Sequence, residues 1–180
     1  RMVRYRAGGG RRAAGWRRGL GLLAVWLALA APAADWPQWR GLQRDGTSPE
    51  TGLLKSWPEG GPRLVWKAQG LGEGYSSFAV SQGRLYTQGQ VGDEQFVMAL
   101  DAATGKKLWQ TSSGRSFRES RGNGPRGTPA VDGSRLFALA ADGTLVCLET
   151  RTGSKVWSLS IVEKFGGRVP NWGISGRATL

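Results

Sequence analysis

The 180-residue chain has 29 glycines and nine tryptophans, one cysteine and no histidine. That composition suits short strands joined by tight turns, and it removes histidine triads, imidazole metal ligands, internal disulfides and Cys-x-x-Cys metal or haem motifs from these residues. The formal charge of +12 is not a nucleic-acid signature: seven of the 25 basic residues precede residue 19, and without them 18 basic residues face 13 acidic ones, an ordinary solubility charge.

In chain order, residues 1–34 read as an export signal. Arg17 and Arg18 lead into an apolar run from Leu20 to Ala31, and the small residues Ala31, Pro32 and Ala33 place a cut after Ala33 or Ala34. The apolar run is shorter than the roughly 20 residues of a membrane span, so no span is expected once the signal is removed. The mature chain is expected to be periplasmic or extracellular. Residues 35–62 form an N-terminal extended segment, and "RLVWKAQG" at 63–70 reads as the outer strand of a further repeat unit.

Two segments then repeat. The first starts at Ser77 and the second at Thr128, and each runs through Ala-Val, a glycine turn, an Arg-Leu-aromatic strand, a second turn and a third strand to Thr-Gly and Trp. The predicted strands are 77–81, 84–88, 95–100 and 106–111, and again 128–131, 135–140, 144–149 and 155–160. Four antiparallel strands per unit, with Trp66, Trp109 and Trp157 spaced by 43 and 48 residues, indicate an all-β fold of four-stranded propeller blades. About two full blades are present, near 77–114 and 128–165, within a partial propeller at 63–180. The longer second spacing comes from "RSFRESRGNGPRG" at 115–127, expected as an exposed, arginine-bearing loop.

In "LDAATGKKLW" the Asp101 and Thr104 side chains can accept from backbone amides, and Gly105 supplies the positive φ of a tight turn. Trp109, four residues on, is then expected to cover the turn and strand of the neighbouring blade. Glu149, Thr152, Gly153 and Trp157 repeat the arrangement. Cys147 sits in the alternating "TLVCLET" and reads as a small buried core residue.

Ala99 to Trp109 resembles the tryptophan-docking motif of the quinoprotein alcohol dehydrogenase-like propellers, the pyrroloquinoline quinone (PQQ) repeat proteins. The copy from Cys147 to Trp157 departs from that motif by Cys147 for Ala and Glu149 for Asp. The stretches "DWPQWRGLQRDGTS", "GYSS", "GPRGTPAVDG" and "NWGIS" are similar to exported bacterial members of the family. The resemblance implies a ring of seven or eight blades, so the sequence reads as an N-terminal fragment of a longer protein.

Two functions follow from the resemblance. One is a non-catalytic scaffold that binds a protein or small-molecule ligand through its loops, as in the related outer-membrane assembly propeller. The other is a PQQ- and calcium-dependent alcohol or sugar dehydrogenase, for which Trp172 is the candidate ring near a cofactor. Asp45, Asp93, Glu94 and Asp132 each adjoin glycine or one another and read as turn or surface acids. Arg118, Arg121 and Arg126 are candidates to hold an anion.

Overall fold

The structure is a computed structural model that describes residues 34–176 and Ala178. The expected export signal lies outside the described residues, apart from Ala34. Among the described residues no helix is long and apolar enough to cross a membrane.

Two four-stranded antiparallel sheets follow one another along the chain. The first is β1 (Ala79–Ser81), β2 (Arg84–Val91), β3 (Glu94–Asp101) and β4 (Lys107–Arg115). The second is β5 (Ala130–Asp132), β6 (Arg135–Leu139), β7 (Thr144–Glu149) and β8 (Lys155–Ser160). Each sheet pairs its strands in sequence order, the up-and-down arrangement of a propeller blade. A five-residue helix, α1 (Ile161–Phe165), follows β8. Ser160 caps it by accepting from the Glu163 amide at 3.1 Å.

Alternation builds the core between the two sheets. Tyr86 of β2 and Val97 and Ala99 of β3 meet Leu136 and Ala138 of β6 and Val146 and Leu148 of β7 in one buried cluster, with Trp109 packed against it. Each set occupies alternate positions, which a pleated strand presents on one face. Cys147 points the other way and is also buried; burial pushes its thiol above the ordinary range. Burial likewise raises the Tyr86 phenol.

Strands β2, β3 and β4 run longer than the sequence pattern indicates, β1, β5 and β6 are shorter, and β7 and β8 keep the expected bounds. Ladder register shifts between Ala99 and Leu100, which leaves Leu108 as an extra residue in β4, and between Cys147 and Leu148, which leaves Val156 as an extra residue in β8. Each bulge residue immediately precedes a tryptophan. A bulge increases local twist and re-aims the side chains beside it, so the same irregularity turns Trp109 and Trp157 in both blades.

The edges are covered by the segments before β1. Trp36 exchanges two hydrogen bonds with Val80 of β1, at 2.7 and 2.8 Å, and the Pro37 carbonyl accepts from the Val131 amide of β5 at 2.8 Å. One short stretch thus bonds to the β1 edge of the first sheet and the β5 edge of the second, which would otherwise expose unpaired donors and acceptors. Residues 63–70, expected as the outer strand of a further unit, pair with neither sheet, and this stretch is held by its tryptophan. Farther on, Glu73 exchanges hydrogen bonds with Gln90 at 2.9 and 2.7 Å, on the edge of β2 that the short β1 leaves open.

That crossing is tight. A Cβ at Gly89 would fall on the Leu71 carbonyl oxygen, a backbone atom with no rotamer to escape into. Gly89→Ala in the full-length protein is expected to destabilise it by about 1–3 kcal/mol, read as a lower denaturant midpoint.

Candidate functional site

The tryptophan-docking residues come together as a joint between successive blades. The β3–β4 turn is built around Asp101, whose Oδ1 accepts from the Ala103 amide at 3.1 Å, the Thr104 amide at 2.8 Å and the Thr104 hydroxyl at 2.7 Å. The Thr104 hydroxyl and then its amide hold the Asp101 carboxyl below its usual value. Gly105 takes φ +71°, and Gly153 repeats it at +72°. Neither position has room for a side chain, because a Cβ would enter the Trp66 ring at Gly105 and the Trp109 ring at Gly153.

The rings also hydrogen-bond in register. Trp66 Nε1 donates to the Ala102 carbonyl at 3.1 Å, and Trp109 Nε1 donates to the Thr150 carbonyl at 3.0 Å. Each acceptor is the residue after the turn's acid, and each glycine lies three residues beyond the acceptor. Trp157, the third ring of the series, is 40% exposed and tilts against Phe137 of its own sheet.

Sequence reading missed two more members of the joint. Arg84 Nη1 donates to the Thr150 carbonyl at 2.9 Å and the Tyr86 hydroxyl does so at 3.4 Å, so three groups of the first blade converge on one oxygen of the second. The recurrence of Arg-Leu-aromatic was the available signal. The second copy does not repeat the bond: Arg135 pairs with Glu149 of its own blade. Glu149 is therefore not the turn acceptor that Asp101 is, while Thr152 Oγ1 accepts from the Ser154 amide at 3.2 Å as Thr104 Oγ1 accepts from the Lys106 amide at 3.4 Å.

A second set of inter-blade ties uses buried glutamines. Gln95 Oε1 accepts from the Ala141 amide at 2.9 Å and its Nε2 donates to the Arg115 carbonyl. Gln88 Nε2 donates to the Gly127 carbonyl at 2.8 Å, and Gln90 Oε1 accepts from the Phe117 amide at 2.7 Å. Asp142 adds a clasp, accepting from the Arg115 and Thr144 amides at 2.8 and 2.9 Å. Polar residues in strands read as solvent-facing, so their burial left no mark in the pattern.

The segment at 115–127 is not the solvated loop expected. Gly124, Pro125 and Gly127 are buried, and the side chain of Arg126 is only 10% exposed. Its guanidinium pairs with Glu119 at 3.1 Å and donates to the carbonyls of Gly122 at 2.7 Å, Gly124 and Trp172. It also lies over the Phe117 ring, 4.8 Å from the centroid. Its donors are therefore committed inside the loop, and Arg126 cannot serve as a free anion site. Arg118 is spent on a surface pair with Asp93 at 3.3 Å. Arg121 remains exposed, its carbonyl accepting from the Tyr75 hydroxyl at 2.5 Å. The glycines serve close approach: a Cβ at Gly122 would enter the Tyr75 ring.

The donor set for a calcium-bound quinone does not assemble among the described residues, where no group of three or more Cys, His, Asp or Glu could hold a metal ion. Trp172 is 57% exposed, so no enclosed aromatic floor forms around it there. Asp45 caps a local turn by accepting from the Thr47 amide at 2.8 Å. Glu94 and Asp132 lie at strand ends, and both are exposed.

Removing the part-buried indole in Trp109→Ala should cost the full-length protein about 2–4 kcal/mol, seen in its denaturant midpoint. Asp101 has a lowered carboxyl pKa in the fold, so its contribution is present above the ordinary value of 3.8 and is lost as pH falls through the lower folded value. Asp101→Asn is expected to flatten that part of the acid unfolding profile, measured as stability against pH below about 5.

The comparisons agree with this architecture. The chain matches the family model described as outer membrane protein assembly factor BamB over residues 51–169. No curated protein matches it. Among solved structures, it is similar to a quinohemoprotein alcohol dehydrogenase from Pseudomonas putida HK5, with 24% identity and a TM-score of 0.39 over 54% of this chain and 15% of that one. It is also similar to a europium-containing methanol dehydrogenase, with 22% identity and a TM-score of 0.36 over 46% and 14%. BamB from Moraxella catarrhalis shows 21% identity and a TM-score of 0.30 over 48% and 36%. The chain therefore spans well under half the length of each of these structures. With a family match across both blades, this chain belongs to the PQQ-like propeller family described as outer membrane protein assembly factor BamB.

Proposed function

We propose that the protein is an exported β-propeller of the bacterial envelope that acts as a binding scaffold in the assembly of outer-membrane proteins. The observation that carries the reading is the family match, which runs through both blades and the arm before them. The arm supports it. Leu53, Leu54, Trp57, Leu64 and Val65, all within one stretch of the arm, are each between 63% and 76% exposed, apolar surface that a partner can cover. On this reading the tryptophan joints hold the blades rigid, and the partner meets loops and arm.

A photo-cross-linking residue in place of Trp57 in the full-length protein, expressed in its own host, tests the scaffold role. Cross-links to a component of outer-membrane protein assembly are expected, and deleting the protein should lower the amount of folded β-barrel protein in that membrane. Unchanged β-barrel levels with no such cross-link overturn the proposal. So does purified full-length protein that, given PQQ and calcium, reduces an artificial electron acceptor in the presence of alcohols, the outcome for a dehydrogenase.

A further inference from the structure

We infer that the cleft between the N-terminal segment and the first turns of the two blades binds a basic, apolar peptide segment of a partner protein. The inference does not depend on the scaffold role. The cleft encloses about 540 Å³ between residues 34–49, the β1–β2 turn at Ser81 and Gln82, and the β5–β6 turn at Asp132 and Gly133, a size that accommodates one or two large side chains.

Its walls and its charge specify the occupant. Trp36, Leu42 and Pro49 supply apolar wall, while the charged residues lining it are Asp35, Asp45 and Asp132, with no Lys or Arg among them. This concentration of one sign is found on a chain in which basic residues outnumber acidic ones even without the seven before residue 19. The carboxylates are not all consumed by the fold. Asp35 is, since its two oxygens accept from the Ser81 hydroxyl at 2.7 Å and the Gln82 amide at 3.0 Å. Asp45 accepts through Oδ1 alone, from Thr47. The Asp132 carboxylate has no hydrogen-bond or ion-pair partner among the described residues.

The wall is also fixed in advance. Trp36 is anchored by its two backbone bonds to Val80, and its ring lies so close to Gly41 that a Cβ there would be 2.8 Å from it. A preformed wall spares a ligand the cost of ordering it. Lysine and arginine fit this combination because they lay an aliphatic stem on apolar surface while their charged head reaches a carboxylate. Phosphate-bearing ligands and anionic lipid surfaces are repelled by the same three acids.

The test uses fluorescent short peptides of alternating Lys and Leu, Glu and Leu, or Ser and Leu, titrated with the full-length protein and read by anisotropy. The Lys–Leu peptide should bind at least about tenfold more tightly than either of the others, and more weakly as salt is raised. Asp45 and Asp132 are both exposed, so D45N/D132N should keep the fold and weaken Lys–Leu binding about two- to tenfold. Leu42→Ser, at a side chain that is 68% exposed, should weaken it as well. The proposal is overturned by no binding of the Lys–Leu peptide, by equal binding of the Ser–Leu or Glu–Leu peptide, or by unchanged affinity in D45N/D132N. Competition by spermidine as effective as by unlabelled Lys–Leu peptide would overturn the apolar part.

Discussion

The contact on which the rest of this structure depends is an indole laid on a glycine. Trp109 of the first blade covers Gly153 of the second and donates to the Thr150 carbonyl, and Trp66 does the same to Gly105 and Ala102. A four-stranded sheet with two apolar faces cannot stand alone in water. The joint supplies apolar cover and an indole N–H for a turn carbonyl at the interface. It works only because the turn glycine adopts a positive φ and has no Cβ, which ties backbone conformation to packing between blades. Both Trp109 and Trp157 follow directly on a bulge residue, Leu108 and Val156.

Around that joint, polar groups do unusual structural service. Gln95, Gln88, Gln90 and Asp142 connect the first blade to the second or to the segment between them through hydrogen bonds to backbone groups. Directional bonds of this kind fix the angle between sheets in a way that apolar packing does not. Arg126 does the same within residues 117–126, where a single guanidinium gathers the carbonyls of a glycine-rich stretch that has no ladder of its own. Positive charge in a glycine-rich loop is usually read as ligand-seeking, and here it is a brace.

Much of this was legible in the sequence because two copies were present to compare. Strand order, turn positions and the Asp101–Thr104–Gly105–Trp109 relation all followed from alternation and turn chemistry repeated in phase. What escaped notice has a common physical origin. The buried glutamines look like solvent-facing strand residues, since burial of an amide is decided by partners far away in sequence. Arg126 looks solvated for the same reason. Residues 63–70 suit a strand by alternation, and they pair with neither sheet, because alternation reports which residues suit a strand while pairing needs a neighbouring edge. The cleft at Asp35, Asp45 and Asp132 arises from three separate stretches of chain, and no local pattern could have brought them together.

The bonds made by Trp36 and Pro37 bear on the order in which the chain can acquire its shape. This stretch precedes both blades in the chain, and its partners Val80 and Val131 stand in the first strand of each. Its bonds can form only once both of those strands exist, so closing it down spans two long loops. The earliest described part of the protein is thereby a seal laid across sheets that follow it in the chain.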